Sequence, residues 1–172
     1  MKIYDTTLTD VKIIEVEAFG DHRGYFQESY NLNRYKSSGI KLNFVQDNQS
    51  YSKKNILRGL HFQINKPQGK LVSVVKGSIY DVVADINPQS KNYGKYFGIE
   101  LSDQNHLQLW IPPGYAHGFC VLSEDAYFQY KCTDFYDSSD EGGVKWDDPK
   151  LNIKWPITNP IVSEKDNPLS YL

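Results

Sequence analysis

Three times between Leu71 and Phe135 the chain runs through two extended apolar stretches joined by a few turn residues. The units are Leu71–Val75 and Ile79–Ile86 around Lys76-Gly77-Ser78, Tyr96–Leu101 and His106–Ile111 around residues 102–105, and Gly118–Leu122 and Ala126–Phe135 around Ser123-Glu124-Asp125. β-Branched and aromatic residues dominate the stretches, and alternation of period two is the signature of strands. Strands at this regular spacing predict an antiparallel sandwich or barrel, with each unit read as a hairpin. At 172 residues the chain fits one domain over 1–172, with a core large enough to need no metal or disulfide.

Upstream, Val11–Phe19 reads as a strand, Gly20-Asp21-His22-Arg23-Gly24 as a turn and Tyr25–Ser29 as a second strand. Asn31–Ser38 is the best helix candidate: Asn31 can cap it, Leu32 and Tyr35 share a face, and Gly39 suits its end. Extended structure resumes at Leu42–Val45, after which Gln46, Asn48 and Ser50 fall two apart. That polar row is either a binding wall or, as is commoner, a solvent-facing side. The proline-bearing tail from Asp147 to Leu172 is expected to wrap the outside without adding sheet.

A formal charge of −2 and a pI near 6.1 give no basic excess to track a phosphate backbone, so nucleic acid is not an expected partner. The N-terminus lacks an apolar signal core and no stretch approaches about 18 apolar residues, which predicts a cytoplasmic protein that does not enter a membrane. Cys120 and Cys132 lie inside strand-like runs and read as reduced core residues.

The chemistry-bearing stretch is Arg58-Gly59-Leu60-His61-Phe62-Gln63. Alternation puts His61 and Gln63 on one face and Leu60 and Phe62 on the other. If the apolar pair packs away from the lumen, His61 faces inward. Arg58 falls on the Leu60 face unless Gly59 allows a bulge that redirects it. His61 is either a functional histidine or a satisfied core one. Tyr130 shares a face with Ala126, Phe128 and Cys132, an inward surface on which its hydroxyl needs a partner, as a core tyrosine or as a proton donor.

Pro112-Pro113-Gly114-Tyr115-Ala116-His117 resembles the second motif of cupin barrels. The first motif of metal-binding cupins offers a His-x-His pair, whereas here His61-Phe62-Gln63 places a poor transition-metal ligand second, so no metal and no other cofactor is expected. Beyond these motifs, DHRGYFQE (Asp21–Glu28), LRGLHFQ (Leu57–Gln63), GKLV (Gly69–Val72), IPPGYAHGF (Ile111–Phe119), Trp146-Asp147-Asp148-Pro149 and Ser163-Glu164-Lys165-Asp166 together resemble the dTDP-4-dehydrorhamnose 3,5-epimerase family over nearly the whole chain.

The resemblance implies an all-β double-stranded β-helix, the cupin or jelly-roll barrel, with a few short peripheral helices. It also implies epimerisation at C3 and C5 of a dTDP-4-keto-6-deoxy sugar within L-rhamnose biosynthesis. By the same resemblance His61 is the base, Asp166 its orienting carboxylate, Tyr130 the acid and Lys70 a contact to the nucleotide sugar, and the chemistry of a 4-ketone asks Lys70 or nearby donors to stabilise the enolate oxygen. Contacts to the nucleotide sugar fall to Arg23, Phe26, Glu28, Gln46, Asn48, Arg58, His117 and Glu141, with Tyr136 stacking on thymine. The arm bearing Arg23, Phe26 and Glu28 reaches into a partner subunit's site in this family, which implies a homodimer with shared active sites. The competing readings are a mono-epimerase or keto-isomerase on a related nucleotide 4-keto sugar, and a non-catalytic sugar-binding cupin.

Overall fold

The computed structural model describes residues 1–172. In chain order the elements are β1 (Lys2–Asp5), β2 (Lys12–Glu15), β3 (Ala18–Asp21), β4 (Gly24–Gln27), α1 (Leu32–Ser37), β5 (Gln46–Lys53), β6 (Ile56–Gln63) and β7 (Lys70–Lys76). There follow β8 (Ser78–Asp85), β9 (Tyr96–Ser102), β10 (Leu107–Ile111), β11 (Tyr115–Val121), β12 (Asp125–Cys132), β13 (Glu141–Gly143) and β14 (Ile161–Val162). One sheet has the order β1-β2-β10-β7-β12-β5 and the other β13-β6-β11-β8-β9, with β14 joining β6. The two face each other as a double-stranded β-helix of the cupin type.

The lumen is filled from both sheets. Val72, Val74, Leu109, Ile111 and Phe128 of the first meet Ile79, Val83, Leu101, Phe119 and Val121 of the second in one buried cluster. Alternation then assigns the opposite faces. Leu71, Trp110 and Ile14 pack outward against Tyr35 of α1 and Ile40, and Leu60, Val82 and Ala116 pack outward against Val144 and Leu151 of the C-terminal segment. Each sheet is therefore apolar on both sides over part of its area, which is why the strands read as nearly continuous apolar runs.

The antiparallel architecture follows the sequence, but the hairpins do not. β7 and β8 lie in different sheets, as do β9 and β10, and β11 and β12. Each short connection crosses between sheets, and the pairings are instead β7 with β10 and β12, and β8 with β9 and β11. Alternation dictates which side chains face the lumen and is silent on which strand lies alongside.

Other boundaries move as well. Val11–Phe19 is two strands, β2 and β3, broken where Val16 turns into the core, and β3 pairs only with β4 in a separate two-stranded sheet. Leu42–Val45 is irregular, and the strand starts at Gln46. One helix forms rather than several. The Asn31 side chain caps it by accepting from the N–H groups of Asn33 and Arg34, and Gly39 (φ +96°) follows its end, while Leu32 is exposed and only Tyr35 is buried. The tail does add sheet, because Ile161 and Val162 pair in parallel with Ile56 and Leu57.

Candidate active site

A bulge in β6 builds the site. Across the β6–β11 ladder His117 lies opposite His61 and Phe119 opposite Arg58, so β6 uses three steps where β11 uses two. Arg58 and His61, on opposite faces by strict alternation, thereby line the same cavity. Gly59 makes this possible: its φ is +113°, and a Cβ there would sit 2.7 Å from the Gly118 Cα and the His117 carbonyl oxygen. Gly118 is required in turn, since its own Cβ would lie 2.6 Å from the Arg58 carbonyl oxygen.

The edge of β6 facing away from β11 is shared by β13, at Gln63 to His61, and β14, at Ile56 and Leu57. Between them the Asp166 carboxylate accepts the Gly59 N–H at 3.2 Å and meets His61 Nε2 at 2.6 Å. Asp166 is 2% exposed and is held from below by Ser163, whose Oγ accepts its N–H. A carboxylate can only accept here, so His61 carries its proton on Nε2 and its lone pair on Nδ1, which no protein group engages. Burial pushes the Asp166 carboxyl up, but the His61 hydrogen bond and charge and the Gly59 N–H outweigh it and hold the group below the usual carboxylate range.

The facing sheet supplies the opposite wall. Tyr130 of β12, Lys70 of β7 and the polar row Gln46, Asn48 and Ser50 of β5 all line the cavity, so the row is a wall of the site and not a solvent-facing side. Burial raises the Tyr130 phenol above its ordinary value, and no protein partner engages its hydroxyl. Burial also lowers the Lys70 ammonium from the usual lysine range, opposed by neighbouring Cys132 and more distant acidic groups. Gln46 accepts the Tyr136 N–H at 2.9 Å and donates to Asn48 at 3.0 Å, which fixes both amides. Arg58 donates from Nε to Ser52 Oγ at 3.0 Å and from Nη2 to the Tyr51 carbonyl oxygen at 3.5 Å, leaving Nη1 free.

At the mouth the Tyr136 hydroxyl donates to Glu141 at 2.7 Å, and Lys165 pairs with the same carboxylate. Burial raises the Glu141 carboxyl, but Lys165 and Tyr136 together hold it lower than an ordinary glutamate. Deeper in, Phe119 and Phe128 form an aromatic floor with ring centroids 4.4 Å apart. The cavity measures about 360 Å³, a size suited to part of a nucleotide sugar. No group of three or more His, Cys, Asp or Glu side chains gathers within reach of one metal ion.

Of the sequence-derived site residues, His61, Asp166, Tyr130, Lys70, Gln46, Asn48, Arg58, His117, Tyr136 and Glu141 converge on this cavity. Arg23, Phe26 and Glu28 do not. Arg23 pairs with Asp21, Phe26 is 70% exposed on β4, and Glu28 engages Arg34 and Asn31. Sequence reasoning missed Lys165, Gln68 and Phe119 as lining residues. It also missed Asp81, buried behind His117 with its carboxylate accepting from Nε2 at 2.9 and 3.0 Å. One signal was available: an aspartate amid Ile79, Val82 and Val83, on a face that alternation turns inward.

Comparison with known proteins gives the same outline. The dTDP-4-dehydrorhamnose 3,5-epimerase family profile matches residues 5–172. The chain is similar to the dTDP-4-dehydrorhamnose 3,5-epimerase of Shigella flexneri, at 49% identity over 96% of this chain and 93% of that protein. Among solved structures, it is similar to the dTDP-6-deoxy-D-glucose-3,5-epimerase of Legionella pneumophila in complex with dTDP-4-keto-L-rhamnose, at 46% identity and TM-score 0.96 over 99% of this chain and 92% of that one. The Bacillus anthracis dTDP-4-dehydrorhamnose 3,5-epimerase with TDP and PPi bound matches at 45% identity and TM-score 0.96, covering 99% of each chain. With the profile spanning nearly every residue and the alignments carrying through both sheets and the C-terminal segment, the chain belongs to the dTDP-4-dehydrorhamnose 3,5-epimerase family.

Proposed function

We propose that the protein inverts C3 and C5 of dTDP-4-dehydro-6-deoxy-D-glucose to give dTDP-4-dehydro-L-rhamnose, and that residues 1–172 act as a single domain without a cofactor. One observation carries the mechanism: a His61–Asp166 dyad, its histidine on one sheet, lines one cavity with the unengaged Tyr130 phenol of the other. The C4 ketone acidifies the C–H bonds on both neighbouring carbons, so one base serves both centres. His61 Nδ1 takes the proton, and Asp166 stabilises the imidazolium that forms. Charge moves onto the C4 oxygen, where Lys70 stabilises the enolate. Tyr130, kept protonated by burial, returns a proton from the opposite face and inverts the carbon. Arg58 suits the diphosphate through the N–H groups its own chain leaves free, and Tyr136 offers a half-exposed ring to the base.

The β3–β4 arm supports a homodimer with shared sites. It exposes Phe19, Tyr25 and Phe26 together, has no role in the core of its own chain, and carries Arg23 and Glu28 well away from the cavity that needs nucleotide contacts. No helix is long and apolar enough to cross a membrane, and the proposed location is the cytoplasm, where nucleotide sugars are made. The deciding experiment mixes the protein with the 4-keto-6-deoxy sugar nucleotide in deuterated water. Label at C3 and C5 with inversion is expected. Label at one carbon assigns a mono-epimerase, and binding without label assigns a sugar-binding protein. Sedimentation of a fully active monomer would end the shared-site reading.

A further inference from the structure

The cavity holds a second histidine–carboxylate pair beside the first. His117 and His61 are direct cross-strand partners on β11 and β6, which places their side chains next to each other on one wall. Behind His117 lies Asp81 of β8, fully buried between the sheets, and the His117 Nε2–H is its only hydrogen-bond donor. A carboxylate kept from water with a single donor is costly to retain for packing alone, since an apolar residue of similar size fills such a place at less expense. The ring it holds is stacked on Phe128 at 6.0 Å and 20°, so its orientation is fixed on two sides, and Nδ1 has no protein partner.

We propose that Asp81 is a positioning residue for the epimerisation: it holds His117 as the imidazolium whose Nδ1–H donates to the substrate's C4 oxygen while His61 takes the neighbouring carbon's proton. The inference rests on the epimerase reading. Either carbon that His61 addresses is one bond from C4, so the residue directly beside His61 on the wall lies nearest the oxygen that gains charge. The two dyads then have opposite duties. Asp166 leaves Nδ1 of His61 free to accept a proton, and Asp81 compensates a positive His117 that donates one hydrogen bond and transfers nothing. Lys70, from the facing sheet, completes the pair of donors at that oxygen.

Asp81→Asn tests this, because the amide can still accept the Nε2–H and preserve the packing while losing the charge. The expected result is a kcat and a rate of deuterium incorporation both lower by about 10- to 100-fold, with KM and the affinity for thymidine diphosphate within about threefold of the parent. His117→Asn should lose about 100-fold, and the double variant no more than His117→Asn alone, since Asp81 acts through that ring. Should Asp81→Asn be too unstable to assay, His117→Asn decides: a raised KM at unchanged kcat would make His117 a ground-state contact and overturn the proposal. Full kcat in Asp81→Asn, or additive losses in the double variant, would overturn it equally. A parent protein that exchanges no deuterium removes the epimerase reading itself, a result distinct from any of these.

Discussion

Replacing Asp166 by asparagine removes one charge and leaves no arrangement of the amide that satisfies both neighbours. If the amide oxygen faces His61 Nε2–H, the NH2 group points at the Gly59 N–H, donor against donor, in a site only 2% exposed. If the NH2 faces His61 instead, the ring must present its lone pair at Nε2 and its proton at Nδ1, so the base has nothing with which to take a proton. The first arrangement keeps the tautomer but loses the charge-assisted bond to the imidazolium, about 1.5–3 kcal/mol, and the second loses the base outright. The combined effect on the barrier is about 3–4 kcal/mol, or two to three orders of magnitude in kcat. Stability falls less. One buried donor without a partner costs about 1–3 kcal/mol, which for a chain of this length lowers Tm by about 3–10 °C. Deuterium incorporation followed by NMR, beside a thermal melt and a thymidine diphosphate titration, separates the two effects. Exchange at the parent rate in a folded Asp166→Asn protein would refute the dyad, because no other group in the structure fixes the His61 tautomer.

Tyr130→Phe leaves the base and the aromatic packing in place, so His61 should still remove a proton and return one from solvent to the same face. NMR should show exchange without inversion, and inversion at the parent rate would move the acid to another group. Gly59→Ala forces a Cβ into the backbone of Gly118 and His117 at a positive φ, and should destabilise the fold by about 2–4 kcal/mol, lowering Tm by about 5–15 °C in a calorimeter. Asp166 and Glu141 titrate below their ordinary ranges in the folded protein, so the stability they lend is complete above about pH 5 and is lost as pH falls through their folded values. Tm measured from pH 6 to pH 3 should drop toward the acid end, less steeply in Asp166→Asn.

Period-two alternation was enough to place Leu60 outward and His61 inward and to turn Phe128 and Tyr130 toward the lumen, because a side chain's face depends only on its position along its own strand, while the regular spacing of strands and turns was enough to predict a largely antiparallel β fold. Local chemistry likewise dictated the Asn31 cap and the helix end near Gly39, since both act within one turn. The specific motifs carried the family resemblance, and with it most of the residues that meet in the cavity. Neighbouring strands were another matter. That Lys76-Gly77-Ser78 crosses between sheets, that β6 bulges so Arg58 joins His61, and that Asp166 fills the gap between β13 and β14 all depend on pairings between segments distant in sequence. Such pairings arise from packing the whole chain around one lumen, where burial of both sheets' inner faces outweighs what any short stretch prefers. The Asp81–His117 pair shows the division most plainly. The inward aspartate is visible in the sequence, but only the β8–β11 register brings it to the histidine it holds.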